Sequence, residues 1–306
     1  MSPLRRLDGW LLAPAPAERL AAFRVLAGGF ALVYFAVRSP ALWALTRRPD
    51  DRFEAVGVLS LLDQPPSRAL VAVSLVLLIG VGAAFVIGWR FEVTGPAFAV
   101  IVMALGTFHS SWGQLLHFEN LMVLHVVIIG FSPAACALTP FRRDHPALAS
   151  STRFGWPLRL ASIVTVAAYL IAGVAKLRIG GTEWLVGDTL RNHVAYSAAR
   201  LDLLGGTATP VAELVIDWAW LFPPLAIASV IIELLAPLAL AGRTFRNLWV
   251  GATITMHLAI LALLAVFFPY QALGFAFAPL FALEVGVHRL RSLARRPPVD
   301  RAILSP

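Results

Sequence analysis

The chain has 306 residues, of which 59% are hydrophobic and only 14% charged, with a mean hydropathy of +0.78. Soluble domains carry about 25% charged residues, so this composition excludes an ordinary soluble globular protein and points to a membrane protein. The net charge of +8 does not indicate a nucleic-acid partner, because the arginines fall in short segments between apolar stretches, as the positive-inside bias predicts.

Apolar stretches of about 20 residues, each long enough to cross a hydrocarbon core of about 30 Å, recur along the whole length. They predict an all-α polytopic membrane helix bundle, a single domain over 1–306. About eight transmembrane helices are expected, at roughly 18–38, 68–89, 92–111, 115–138, 154–176, 214–241, 245–268 and 270–288. Only Ser110 to Gln114 separate the third and fourth. The first span is too long for a signal-peptide core, so no cleaved signal is expected. Eight spans put both termini on one side. Placing that side in the cytoplasm gives it 15 basic residues against nine opposite, so both termini are expected to be cytoplasmic in a multi-pass cell-membrane protein. Two longer outer loops, about 39–67 and 177–213, are then where irregular structure could build a site. The second contains Arg178, Glu183, Trp184, Gly187, Asp188, Arg191, Asn192 and His193.

An ionisable side chain inside a span costs a few kcal/mol on insertion scales, so each needs a partner or a role. The candidates are Arg24, His109, His117, Glu119, His125, Lys176, Asp217, Glu233, His257 and Glu284. Asp217, Glu284 and His109 sit near span ends and read as interfacial. Arg24 cannot shed its proton, so an ion pair with Glu233 or Glu119 is expected. His117 and Asn120 are three residues apart and share a helix face, extended by Leu121 and Leu124. No histidine or carboxylate spacing matches a metal motif, and no metal is expected. The lone cysteine, Cys136, has apolar flanks and reads as a small core residue. His257 is the deepest histidine, in the middle of the seventh span.

Lys176 stands apart. The chain has 24 arginines and one lysine, so arginine serves wherever a plain positive charge is wanted. Lysine differs in that it can lose its proton when desolvated and then act as a general base. Tyr169 and Gly173 lie seven and three residues earlier on the same face, where Gly173 admits a close neighbour.

Several segments resemble the vitamin K-dependent γ-carboxylase superfamily, in particular its bacterial HTTM (horizontally transferred transmembrane) domain proteins. Tyr169-Leu-Ile-Ala-Gly-Val-Ala-Lys-Leu, followed by Trp184 and Gly187, resembles that family's lysine segment. Glu18 to Gly28, with Phe23-Arg24, is similar to its first span. His117-Phe-Glu-Asn leading to Ser132-Pro133 resembles its His/Asn-bearing span, and Met256-His257-Leu with Phe268-Pro269-Tyr270 its later helix. The resemblance implies Lys176 as the base that deprotonates a reduced vitamin K or menaquinol, so that glutamate in a peptide or protein substrate is carboxylated. It implies His117 as a second catalytic residue, and Tyr169, Gly173, His257, Trp184 and Asn120 as cofactor-binding. The sequence departs from the family at Ala175, where a second lysine often stands, and carries no counterpart of the animal enzyme's large lumenal domain. Two other readings stand beside the enzyme: a non-catalytic membrane factor for maturation, export or protection of a small secreted peptide, and a transporter. The prolines Pro133, Pro223, Pro224 and Pro237 do not recur at the constant offset that repeated transporter halves show.

Overall fold

Helices carry this fold because a chain this apolar must satisfy its own backbone groups. The structure, a computed structural model, describes residues 8–113, 117–141, 150–186 and 188–294, with the side chains of His117, Phe118 and Ala294 outside that description. Every regular element among the described residues is helical. In order they are α1 (Ala17–Leu45), α2 (Arg68–Ile87), α3 (Phe91–Ser110), α4 (His117–Gly130), α5 (Thr152–Val186), α6 (Thr189–Leu203), α7 (Pro210–Val215), α8 (Phe222–Leu234), α9 (Arg243–Leu264) and α10 (Leu283–Ala294).

The boundaries follow from local chemistry. Ser67 caps α2 by accepting from the Leu70 N–H, and Gly88 ends it in the left-handed region at φ 77°. A π-helical stretch, Arg24–Gly28, interrupts α1. Helices α1 to α4 pack consecutively on one another, α4 packs on α5, and α5 on α8. Gly95 of α3 and Gly130 of α4 face each other backbone to backbone, the close approach that small residues permit in membrane helices. The core between them is aromatic and aliphatic, with Phe23, Phe35, Phe85 and Phe98 fully buried.

Five described helices are long and apolar enough to cross a membrane: α1, α2, α3, α5 and α9. The expected spans at 115–138 and 214–241 contain shorter apolar helices, α4 and α8. The expected eighth span, 270–288, is not one helix. A single turn at Pro269–Ala272 and a 3-10 stretch at Phe275–Leu280 are separated by Gly274 at φ 82°, and Pro279 removes a further backbone donor before α10. The 177–213 segment is not irregular either, since α5 runs past Lys176 and α6 fills most of the rest.

The starts of α1, α5 and α9 gather at one end of the bundle with α10. Ala15 pairs with Ser151 in an isolated bridge, and the Arg246 guanidinium donates to the Leu280 carbonyl. Arg19 makes two bonds to Glu284, while Arg291 and His288 reach Glu18. The Arg19 guanidinium holds the Glu284 carboxyl below its ordinary range. A group held down in this way stabilises the fold fully above the usual carboxylate range, and that contribution is lost as pH falls. Lowering the pH from about 7 to about 3, below the usual glutamate value, should therefore loosen α10, read as faster hydrogen exchange over 283–291. Glu284→Gln should be loose at both pH values.

Arg24 departs from expectation. It is fully buried, yet its partners are the backbone carbonyls of Ala134 (3.2 Å) and Leu138 (2.6 Å), not a carboxylate. The chain beyond α4 turns there, with Leu138 at φ 51°, and presents carbonyl oxygens with no helical partner, which a multi-donor guanidinium satisfies. Both expected carboxylates are engaged elsewhere. Glu119 accepts from Tyr34 (2.6 Å) and lies 2.9 Å from His109 Nδ1, which pulls His109 away from a purely interfacial position. Glu233 pairs with Lys176. Arg24→Met leaves two buried carbonyls unpaired, and about 3 kcal/mol of stability should be lost, measured by titration with a denaturing detergent.

Cys136 is half-buried and lines a small cavity of about 310 Å³ with Phe91, Glu92 and Pro133, its sulfur 3.4 Å from the Arg153 guanidinium.

Candidate functional site

The last apolar turns of α5 assemble the site. Tyr169, Gly173 and Lys176 follow at intervals of four and three, so one face of α5 carries all three. At its base, Tyr169 is buried against Trp249 and Phe277. Its phenol oxygen lies 2.8 Å from His257 Nε2 on α9. With the phenol donating, the imidazole proton sits on Nδ1, which is buried and without a partner.

One turn on, Gly173 allows α8 to come close. A Cβ there would stand 2.9 Å from Glu233 Cβ and 3.1 Å from a Leu234 methyl. That approach puts Glu233 beside Lys176, with Nζ to Oε1 at 2.6 Å. The lysine side chain keeps 23% of its surface exposed and the glutamate 7%. Glu233 Oε2 is buried with no partner. Trp249 Nε1 donates to the Ile232 carbonyl (2.9 Å) and locks α9 to α8 next to the carboxylate.

Beyond Lys176 the helix is bent at Gly181, whose φ 55° and ψ −140° suit only glycine. The bend brings Trp184 back, and Lys176 Nζ lies 5.1 Å from its ring centre, within cation–π range. The His193 ring of α6 lies 5.6 Å from the indole, centre to centre. Trp184 Nε1 is a buried donor without a partner.

Of these groups, Lys176, Trp184 and His193 line a cavity of about 660 Å³ between α5, α6, α8 and α9, and Tyr169, Gly173, Glu233 and His257 are not part of its lining. Leu225 and Ile232 of α8, Met256, Ile260 and Leu263 of α9, and Phe268 make most of its wall. Lys176, Trp184, His193, Tyr196 and Arg200 supply its polar margin. An apolar chamber with a few convergent polar groups is the usual form of a small-molecule site.

Five of the residues singled out in the sequence meet here: Lys176, Tyr169, Gly173, Trp184 and His257. Asn120 does not; it is exposed on α4 and is not part of the cavity lining. The His117 side chain and Gly187 lie outside the described residues. Glu233 is one of two carboxylates that the sequence offers to Arg24, with Glu119 the other, and the sequence does not single out the α6 residues Tyr196 and Arg200. One signal was available for Glu233: an acid deep in a span and the only lysine each require a partner. Among the described residues, no cluster of three or more His, Cys, Asp or Glu is placed to hold a metal ion.

Comparison with known protein families, characterised proteins and solved structures finds no match to this chain.

Proposed function

We propose that the chain is an integral membrane enzyme of the vitamin K-dependent γ-carboxylase type. It binds a reduced quinone such as menaquinol in the cavity and carboxylates glutamate in a peptide or protein. The observation that carries this reading is the position of the only lysine, hydrogen-bonded to a buried carboxylate at the margin of a large apolar cavity. The resemblance of the lysine segment supplies the reaction class.

When bound, the reduced quinone, oxygenated by dioxygen, would supply the strong base that the substrate glutamate requires, and carbon dioxide would supply the added carboxyl group. The chain's own residues prepare for that. Lys176 paired with Glu233 can pass one proton from Nζ to the carboxylate, leaving a neutral amine free to accept another. Glu233 is thus a proton-holding partner and not merely a counter-ion. Tyr169 fixes His257 in one tautomer behind the lysine face of α5, a buried polar support and not a part of the cavity wall. The apolar walls exclude water, which strengthens each of these interactions.

The shared end of α1 and α10 supports an even number of crossings between them, as in an eight-span topology with both termini cytoplasmic. The arginine count favours that side.

The Lys176–Glu233 pair also favours a second reading. A satisfied pair can simply tether α5 to α8 in a non-catalytic factor that holds an apolar ligand or peptide during secretion. Mass spectrometry of small molecules that co-purify with the protein separates the two. A menaquinone present in the native protein and lost in Gly173→Val, whose larger side chain pushes α8 away, supports the enzyme. Phospholipid alone in both favours the tether.

A further inference from the structure

The cavity lining carries Lys176, His193 and Arg200 and no carboxylate, and this says something about the ligand beyond its apolar body. The Lys176 charge is already neutralised by Glu233. Arg200 is not. It lines the cavity and has no hydrogen-bond or ion-pair partner among the described residues. His193 and Arg200 are seven residues apart on α6, so both stand on the face turned to the cavity, two turns apart. Trp184, in ring contact with both Lys176 and His193, has a buried indole N–H with no acceptor. An indole nitrogen and a guanidinium can only donate; the indole N–H is buried, while His193 and Arg200 are exposed at the cavity margin.

We propose that the α6 side of this cavity is an anion site: its ligand places a carboxylate or phosphate beside Arg200, on the margin that Lys176 and His193 share, with an apolar chain against α8 and α9. This deepens the quinol reading, resting on the same cavity as a ligand site, by adding an acidic amphiphile to its occupants. The neutral quinone ring is not the species that Arg200 recognises.

The test uses the full-length protein in phosphatidylcholine nanodiscs, with radiolabelled oleate and oleyl alcohol as probes of equal chain and different charge. Oleate should bind about tenfold more tightly, the usual gain of a charge-assisted bond. Arg200→Gln should remove that preference. Arg289→Gln, an equal charge loss at an exposed position on α10, should leave it intact. Equal binding of the two probes, a preference that survives Arg200→Gln, or the same loss in Arg289→Gln would overturn the proposal. Phosphatidic acid compared with diacylglycerol distinguishes a phospholipid headgroup from a free carboxylate as the source of the anion. Menadiol binding is read in the same preparations. If it is absent while the oleate preference stands, the quinol reading fails and the anion site survives; the reverse result removes only the anion site.

Discussion

Lys176→Arg lowers quinol-dependent turnover by about 10²- to 10⁴-fold, the usual contribution of a positioned general base, and leaves expression and thermal stability close to wild type. Arginine keeps a positive charge within reach of Glu233, so the contact between α5 and α8 persists. What it removes is the ability to become neutral, because a guanidinium does not deprotonate in proteins. The assay compares carboxylation of a glutamate-containing peptide by the two proteins with reduced menaquinone supplied. Full activity in Lys176→Arg would leave the lysine with a packing role only.

The second large effect is on stability and is asymmetric. Lys176→Met leaves the Glu233 carboxylate, 5% exposed, without its counter-ion in an apolar site, and about 3 kcal/mol should be lost. Glu233→Leu costs less, because the partly exposed lysine can extend its ammonium toward water while its stem stays packed. The double variant Lys176→Met/Glu233→Leu should recover most of the loss, since removing both charges avoids burying either one alone. Unfolding by a denaturing detergent gives the four corners of this cycle. Additive single losses would show that the 2.6 Å contact contributes no coupling.

Much of the site was legible because it is local. Tyr169, Gly173 and Lys176 lie within about two turns of one helix, and helical periodicity alone puts them on a common face. Their partners come from residues far along the chain, and periodicity does not say which helix faces which. Arg24 shows the difficulty. Sequence logic demands a carboxylate for a buried arginine, yet carbonyls at the turn after α4 satisfy it as well, which released Glu233 for Lys176. The same limit applies to the chain after α9. The 270–288 stretch is apolar enough to read as a span, but Gly274 and Pro279 break it into short turns that carry Tyr270 to His125 and Phe277 to Tyr169. The 177–213 segment read as a loop because its polar residues hide the period. In the fold it is mostly helix, and it brings His193, Tyr196 and Arg200 to the cavity.

Anaerobic ultraviolet titration of menadiol bound to the purified protein bears most directly on the central claim, that the Lys176–Glu233 pair takes a proton from a bound quinol. In the wild-type protein the absorbance of the deprotonated form should appear at a lower pH than for menadiol in water, and Lys176→Met should abolish that displacement. Identical titration curves for the free and bound compound, or for the wild-type and Lys176→Met proteins, would contradict it.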